Sequence, residues 1–314
     1  MERTKKLWNA SDLRFAYFGS QTRYAGEIIP RIIPWLPKGG IYADGTSGSC
    51  GTPFKMKKQG YTVYTNDRGF LSFCIGKAFV ERNEHYTEQD IEEILDYTPQ
   101  EGFVFNAWQK LPFDPEVAKH IDGYLLHNKN NHFALVCCGS FIMAHLTFRS
   151  IGWDKKLVAN LTVDVLRERI AFTLRRLARV PIPGNAKAFW GDARDFVTQQ
   201  SGDLVYFDPA WPWTDGRKAE IYEFSDEVSD ILQQKKTENK FWSGDEALIG
   251  SIEFVKKSIP NWKHVALSTQ STNYPPHERV EEELRKLFPK LYVDTYKVIS
   301  RASNNEFIEY LYIV

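Results

Sequence analysis

Short apolar runs alternate along most of this chain with stretches whose apolar residues recur at helical spacing. Ile41-Tyr42-Ala43, just after Gly39-Gly40, has the length of a buried strand, as do Tyr61–Thr65, Ala188–Gly191, Leu204–Phe207 and His264–Ser268. Between and after them, Pro53–Gln59, Phe70–Glu81, Ala193–Gln200, Glu246–Ser258 and Glu278–Leu287 carry helical patterns. Glu27–Leu36 is spaced like a helix too, but Pro30 and Pro34 predict that it is short or broken. At the end of the sequence, Leu291–Ile299 and Phe307–Val314 predict an antiparallel hairpin joined through Ser300–Glu306. Strands alternating with helices predict an α/β architecture: a Rossmann-like sheet with this hairpin at its C-terminal side.

The rhythm breaks between His85 and Gly184, where helical patterns dominate. The clearest is Val163–Val180, with Val163, Leu166, Ile170, Leu174 and Leu177 on one face and Pro181 and Pro183 closing it. The expected organisation is therefore a catalytic domain formed by residues 1–84 and 185–314, interrupted by a helical insert at 85–184. A length of 314 residues allows this arrangement.

Composition narrows the class without deciding it. Hydrophobic residues make up 43 % of the chain and aromatics 14 %, enough for a packed core and too much for a disordered chain. No apolar run approaches the ~20 residues of a membrane span, and the N-terminal segment lacks the apolar stretch of a secretory signal. Cys50, Cys74, Cys137 and Cys138 do not form a disulfide framework, so a cytoplasmic protein with no membrane partner is expected. The 40 basic and 40 acidic residues cancel. Locally, Arg149–Val180 carries eight bases against three acids, either a phosphate-facing surface or an ordinary solvated helix face.

Four sites carry candidate chemistry. Asp44-Gly45-Thr46-Ser47-Gly48-Ser49-Cys50-Gly51 follows a strand and precedes a helix, where glycines permit close backbone approach to a ligand. It lacks the lysine of a phosphate-binding P-loop and the spacing of a dinucleotide fingerprint; a plain tight turn is the alternative. Asn66-Asp67 ends the next strand, where an acid can accept both hydroxyls of a ribose. Gly191-Asp192-Ala193 places a carboxylate either to receive an exocyclic amine or to cap the following helix. Most specific is the strand that empties into Asp208-Pro209-Ala210-Trp211-Pro212-Trp213. A carboxylate and a neighbouring carbonyl held by proline can accept both hydrogens of an amine, and an aromatic ring can stack on the base that carries it. No histidines or cysteines fall at metal-ligand spacing, so no metal is expected.

Taken in order, these elements resemble the DNA adenine methylase family, in which the recognition insert precedes the catalytic motif. Arg23-Tyr24-Ala25-Gly26 resembles that family's opening cofactor segment, and Asp44–Cys50 its acidic glycine loop. Asn66-Asp67, Gly191-Asp192-Ala193, Asp208-Pro209-Ala210-Trp211 and Glu309-Tyr310-Leu311 resemble its later motifs. The chain departs from the pattern at Glu27-Ile28, where the family has Gly-Lys, at Cys50 for the loop's last glycine, and at Ala210 for the second proline.

The resemblance implies a Rossmann-like enzyme that transfers a methyl group from S-adenosylmethionine to adenine N6 in double-stranded DNA after flipping the base. It implies cofactor contacts from Arg23, Tyr24, Asp44, Gly45, Thr46, Ser47, Gly48, Asp67, Asp192 and Ala193. Asp208, Pro209, Ala210 and Trp211 would form the catalytic motif, and the Lys and Arg of the 85–184 insert, the target-recognition region, would hold phosphates together with Lys55, Lys57 and Lys58. A restriction or phage-defence system is the partner such an enzyme implies. Cytosine N4 as the target, or a degenerate protein that binds without turnover, are the alternatives.

Overall fold

A computed structural model describes residues 25–107, 114–150, 161–212, 226–236, 244–299 and 306–314, with the side chains of 144–150, 244 and 299 left aside. In chain order the strands are β1 Ile41–Asp44, β2 Thr62–Asp67, β3 Ala186–Trp190, β4 Gly202–Phe207, β5 Trp262–Gln270, β6 Tyr292–Ile299 and β7 Glu306–Ile313. They form one sheet in the order β3-β2-β1-β4-β5-β7-β6. The first five run parallel, whereas β7 inserts antiparallel between β5 and β6. This is the Rossmann-like methyltransferase sheet, with the expected antiparallel C-terminal hairpin. The strand order reverses between β1 and β4, and in open α/β sheets ligands bind beyond the strand ends at such a point.

Helices α1 Ala25–Ile32, α2 Gly51–Lys58 and α3 Phe70–Ile75 accompany the first strands. Pro30 lies inside α1, and Pro34 falls in the tight 3-10 turn Ile33–Trp35 that follows it. The helical region predicted between His85 and Gly184 contains α4 Glu88–Leu95, α5 Phe103–Ala107, α6 Pro115–His127, α7 His132–Ser150 and α8 Val163–Leu177. Later come α9 Ala193–Gln199, α10 at 226–233, α11 Gly244–Ser258 and α12 His277–Leu287.

Strand alternation divides the core into two layers. Tyr42, Leu204 and Tyr206 face one apolar cluster; their neighbours Ala43, Val205 and Phe207 face the other. The second cluster is anchored by Phe207 stacked on Phe254 at 3.9 Å between ring centres. The first extends without a break from Tyr42 and Val63 into Ile121, Leu125, Phe133, Leu166 and Leu174 of the helical region. The helices after residue 85 thus bury their apolar faces against the sheet side of the molecule. Tyr86 on Phe133, at 3.7 Å between ring centres, is one seam of that packing.

The predicted helix Phe70–Glu81 is α-helical only to Ile75; Gly76–Glu81 widens into a π-helical turn. Gly76 explains the close approach, because a Cβ there would lie 2.6 Å from Thr65 Oγ1 and 3.0 Å from Ala188 Cβ. Glu81 then reaches the edge strand β3 and accepts the Ala188 N–H at 2.8 Å. The carbonyls that end the turn are taken by a lysine. Lys57 is buried, and its Nζ donates to Val80 O at 2.6 Å, Arg82 O at 3.1 Å and Asn83 Oδ1 at 3.0 Å. This corrects the expectation that Lys57 holds phosphates: its ammonium is spent inside the protein, joining α2 to the π turn. All four cysteines are buried thiols. Among the described residues, no helix is long and apolar enough to cross a membrane.

Because Lys57→Met would leave those buried carbonyls without their donor, it is expected to destabilise the fold by about 1–3 kcal/mol. A lowered urea midpoint with an unchanged slope would show this; an unchanged midpoint would mean that the bond contributes nothing net.

Candidate active site at the strand ends

Three carboxylates meet where the strands stop. Asp44 is the last residue of β1, Asp67 the last of β2, and Asp208 follows β4 directly. Asp44 lies near enough to both Asp67 and Asp208 to feel their charges. Burial pushes the Asp44 carboxyl well above the ordinary carboxylate range, opposed by the Thr46 N–H bond and reinforced by Asp208. Its Oδ1 accepts that N–H at 3.1 Å. Burial also raises Asp67, against the N–H donors of Gly69 and Gly48. Each of the Asp67 oxygens takes one of those donors at 2.8 Å, Oδ2 from Gly48 and Oδ1 from Gly69.

The glycine loop is stitched to its neighbours by buried side chains. Gly45 N–H donates to Tyr206 O at 2.8 Å, across the β1–β4 junction. A Cβ on Gly45 would press on the Phe254 ring at 3.1 Å, and that ring is fixed by its stack on Phe207. Gly45 is therefore required for packing beneath the loop. Gly48 and Cys50 both adopt left-handed backbone, at φ 49° and 56°. The glycine that the family pattern places at position 50 would suit this geometry; here a buried cysteine adopts it instead.

Two polar residues do most of the tying. Asn66, buried at the end of β2, donates its amide to Gly45 O and Gly191 O, both at 3.1 Å. Its carbonyl accepts the N–H and hydroxyl of Ser47, at 2.9 and 3.0 Å. One side chain and one peptide thereby hold the ends of β1, β2 and β3 together. Thr46 makes the matching link across the switch point. Its hydroxyl accepts the Asp208 N–H at 2.9 Å and donates to Asp208 O at 3.0 Å. Sequence reasoning placed Thr46 in the loop without this connection, and treated Asn66 only as the neighbour of Asp67. The missed signal was a buried Asn preceding the acid, a residue with both donors and an acceptor.

Asp192, expected either to receive an amine or to cap a helix, is the N-cap of α9 and accepts the Arg194 N–H at 2.8 Å. The Arg194 guanidinium also grips both its oxygens, at 3.0 and 2.8 Å, and holds the carboxyl below its usual range. Ala193 opens α9 and packs against the second cluster. Next to them the edge strand ends in Trp190, about half exposed, its indole N–H donating to Arg68 O at 2.9 Å and its ring lying on Phe70 and Phe73. A Cβ on Gly191 would meet nothing within 4 Å. Open space and an aromatic ledge therefore adjoin at residues paired with Asp67 in the sheet: Trp190 is its partner in β3 and the Gly191 N–H donates to Asp67 O at 3.1 Å. Trp190 was legible in the sequence only as a strand residue.

In the Asp208–Trp211 segment one expectation changes. Trp211 was expected to present its ring to a base. Its ring is 1 % exposed, lies in the second apolar cluster, and donates its indole N–H to Ser268 O at 2.8 Å. Trp211 N–H also bonds back to Pro209 O at 2.8 Å, a sharp turn from which the ring packs into this cluster. Ala210 is the exposed member of the motif. Arg23, Tyr24 and Trp213 lie outside the described residues. In the basic stretch, Arg175 pairs with Glu88 and Arg167 lies over Tyr97, while Arg169 and Arg179 are exposed; Lys155 and Lys156 lie outside the described residues. Among the described residues, no group of three His, Cys, Asp or Glu side chains is arranged to hold a metal ion.

No protein-family model matches the chain, and no curated protein matches it. Among solved structures, it is similar to a proposed RNA methyltransferase from Pyrococcus horikoshii: 12 % identity, TM-score 0.35, covering 100 % of this chain and 91 % of the other. It is also similar to a precorrin 8W decarboxylase from Methanobacterium thermoautotrophicum: 10 % identity, TM-score 0.30, covering 91 % and 88 %. Both likenesses are faint, and the fold assignment rests on the strand order and the reversed seventh strand.

Asp44 carries a titration prediction. A carboxyl raised by burial costs stability as pH climbs through its folded-state value, because the unfolded chain ionises freely. Asp44→Asn keeps an oxygen for the Thr46 N–H and removes that cost. Its thermal midpoint should exceed that of the unaltered protein at pH 8, by more than at pH 5. An equal or smaller difference at pH 8 would show that Asp44 is not held protonated by its surroundings.

Proposed function

We propose that the chain is an S-adenosylmethionine-dependent methyltransferase acting on an exocyclic amine of a nucleic-acid base, and specifically on adenine N6 in double-stranded DNA. The observation that carries this reading is the convergence of Asp67, the Thr46–Gly48 loop and Asp208 at the switch point of a methyltransferase-type sheet. The ordered resemblance of the same residues to the DNA adenine methylases supplies the substrate.

The residues present suit the cofactor. A carboxylate accepts up to about four hydrogen bonds, so Asp67, engaged by the N–H groups of Gly48 and Gly69 and by the Ser72 hydroxyl, still has room for a ribose hydroxyl. The open space over Gly191, beside Trp190, suits the adenine ring. Asp192 would assist there through its position rather than as an unengaged acceptor, because Arg194 already occupies it. When bound, S-adenosylmethionine supplies an electrophilic methyl group, and its transfer leaves the thioether.

The difficulty of this reaction lies in the nucleophile, since the amine's lone pair is delocalised into the base. Asp208 and Pro209 O, which keeps a second lone pair beside its bond from the Trp211 N–H, would accept the two amine hydrogens and favour a pyramidal nitrogen. As positive charge grows on that nitrogen, bonds to a carboxylate and a carbonyl strengthen, which stabilises the transition state more than the bound substrate. Thr46 keeps the Asp208 peptide in place on both its N–H and C=O sides. With Trp211 buried, an exposed aromatic ring near the motif among the described residues is Tyr274, whose N–H donates to Pro212 O at 2.8 Å. A base inside a duplex would have to be flipped out to reach Asp208, at a cost of a few kcal/mol.

Asp208→Ala should abolish methyl incorporation from labelled S-adenosylmethionine into DNA while leaving cofactor affinity within about twofold, the pattern of a group that acts in the transition state. Wild-type incorporation by the variant would remove Asp208 from the chemistry. Asp67→Ala should weaken cofactor binding by calorimetry at least about tenfold, the loss of roughly 1.4 kcal/mol from charge-assisted bonds. Unchanged affinity would take Asp67 out of the site.

A further inference from the structure

Asp208 is controlled at two levels. Thr46 fixes its peptide, and Ser268 on β5 fixes its side chain: Ser268 Oγ donates to Asp208 Oδ1 at 2.7 Å. Behind the serine stands Tyr206, whose hydroxyl lies 2.8 Å from Ser268 Oγ. The direction of this chain follows from donor inventory. An ionised carboxylate only accepts, so the serine proton points to Asp208, and the tyrosine proton must point to the serine oxygen. Ser268 is 1 % exposed and Tyr206 fully buried, so water does not compete for either hydroxyl. The same serine holds the other end of the motif, because its carbonyl accepts the Trp211 indole N–H. Strand register produces the arrangement. Tyr206 pairs with Ala266 and Phe207 with Leu267, so Ser268 lies level with Asp208 where β4 has just ended.

We propose that Ser268, oriented by Tyr206, is a positioning residue that sets the direction and basicity of the Asp208 carboxylate toward the substrate amine. This rests on the reading of Asp208 as the amine-binding acid. Nothing in the sequence singled out Ser268; it is a small polar residue inside a predicted strand.

Among the described residues, the titratable groups around this carboxylate include Asp44 on β1, Tyr206 on β4 and Tyr296 on β6, with Glu309 on β7 and Arg31 and Glu27 on α1 beyond Tyr296. The Ser268 hydroxyl donates to this carboxylate and favours its ionised form; its loss makes the carboxylate harder to ionise.

The test is a carbon-13 titration of the Asp208 carboxyl in the full chain, with turnover measured alongside, for Ser268→Ala, Ser268→Thr and Tyr206→Phe. Ser268→Ala should move the Asp208 midpoint upward and lower kcat for methyl transfer by about 10- to 100-fold, the loss that misplacement of a reacting group brings. Cofactor affinity should hold within about twofold. Ser268→Thr, which keeps the hydroxyl, should restore both readouts, and Tyr206→Phe should shift the midpoint upward by less than Ser268→Ala. An active wild-type enzyme whose Ser268→Ala variant keeps the wild-type midpoint and kcat overturns the proposal alone. A wild-type protein inactive on DNA, with the midpoint still raised in Ser268→Ala, overturns the functional reading and upholds the serine's hold on the carboxylate.

Discussion

The site depends on one constraint: loops that leave neighbouring strand ends must be held in register by polar groups removed from water. Thr46 and Asn66 meet it. The Thr46 hydroxyl closes a reciprocal pair of bonds with the Asp208 peptide across the β1–β4 junction. Asn66 spans the ends of β1, β2 and β3 with two amide donors and a carbonyl. A buried unsatisfied polar group costs about 1–3 kcal/mol, so neither loop can move alone without leaving several such groups unpaired. The glycine turn and the Asp208 motif are therefore one mechanical unit, as a reaction joining a cofactor to a substrate amine requires.

The electrostatics of this unit oppose its stability. Asp44 and Asp67 are both raised by burial, and Asp44 also by its acidic neighbours. Stability alone does not favour gathering carboxylates at one water-poor edge. Hydroxyl-bearing or cationic ligands relieve the cost, so the strain is consistent with a binding site. Other acids are paired in ordinary ways: Asp192 at the site's edge with Arg194, and Asp203 with Lys263 and the Ile41 N–H.

Much of the fold was legible because alternation and helical spacing are local signals. The strand β4 showed itself as Leu204–Phe207 bounded by charge, and the terminal hairpin by its two β-rich segments. The π turn was not legible, since Gly76 becomes special only when Thr65 and Ala188 are packed against it. Within the candidate site, Asp44, Asp67 and Asp208 declared themselves by standing at strand ends. Lys57 and Trp211 misled for the same reason as each other. A lysine near a glycine loop and an aromatic after Asp-Pro read as ligand contacts, yet tertiary packing gives the first three internal acceptors and the second a core position. Ser268 carries no sequence signature, and Asn66 stood in a motif without showing its cross-strand bonds, because both roles exist only in the register between strands.

The account stands most directly on where a nucleoside lies against these strand ends. A crystal structure of the chain with S-adenosylhomocysteine should show a ribose hydroxyl on the Asp67 carboxylate, the adenine ring beside Trp190 and Gly191, and the sulfur directed toward Asp208. A nucleoside bound elsewhere, or an Asp67 carboxylate with no ribose hydroxyl on it in a saturated crystal, would contradict it.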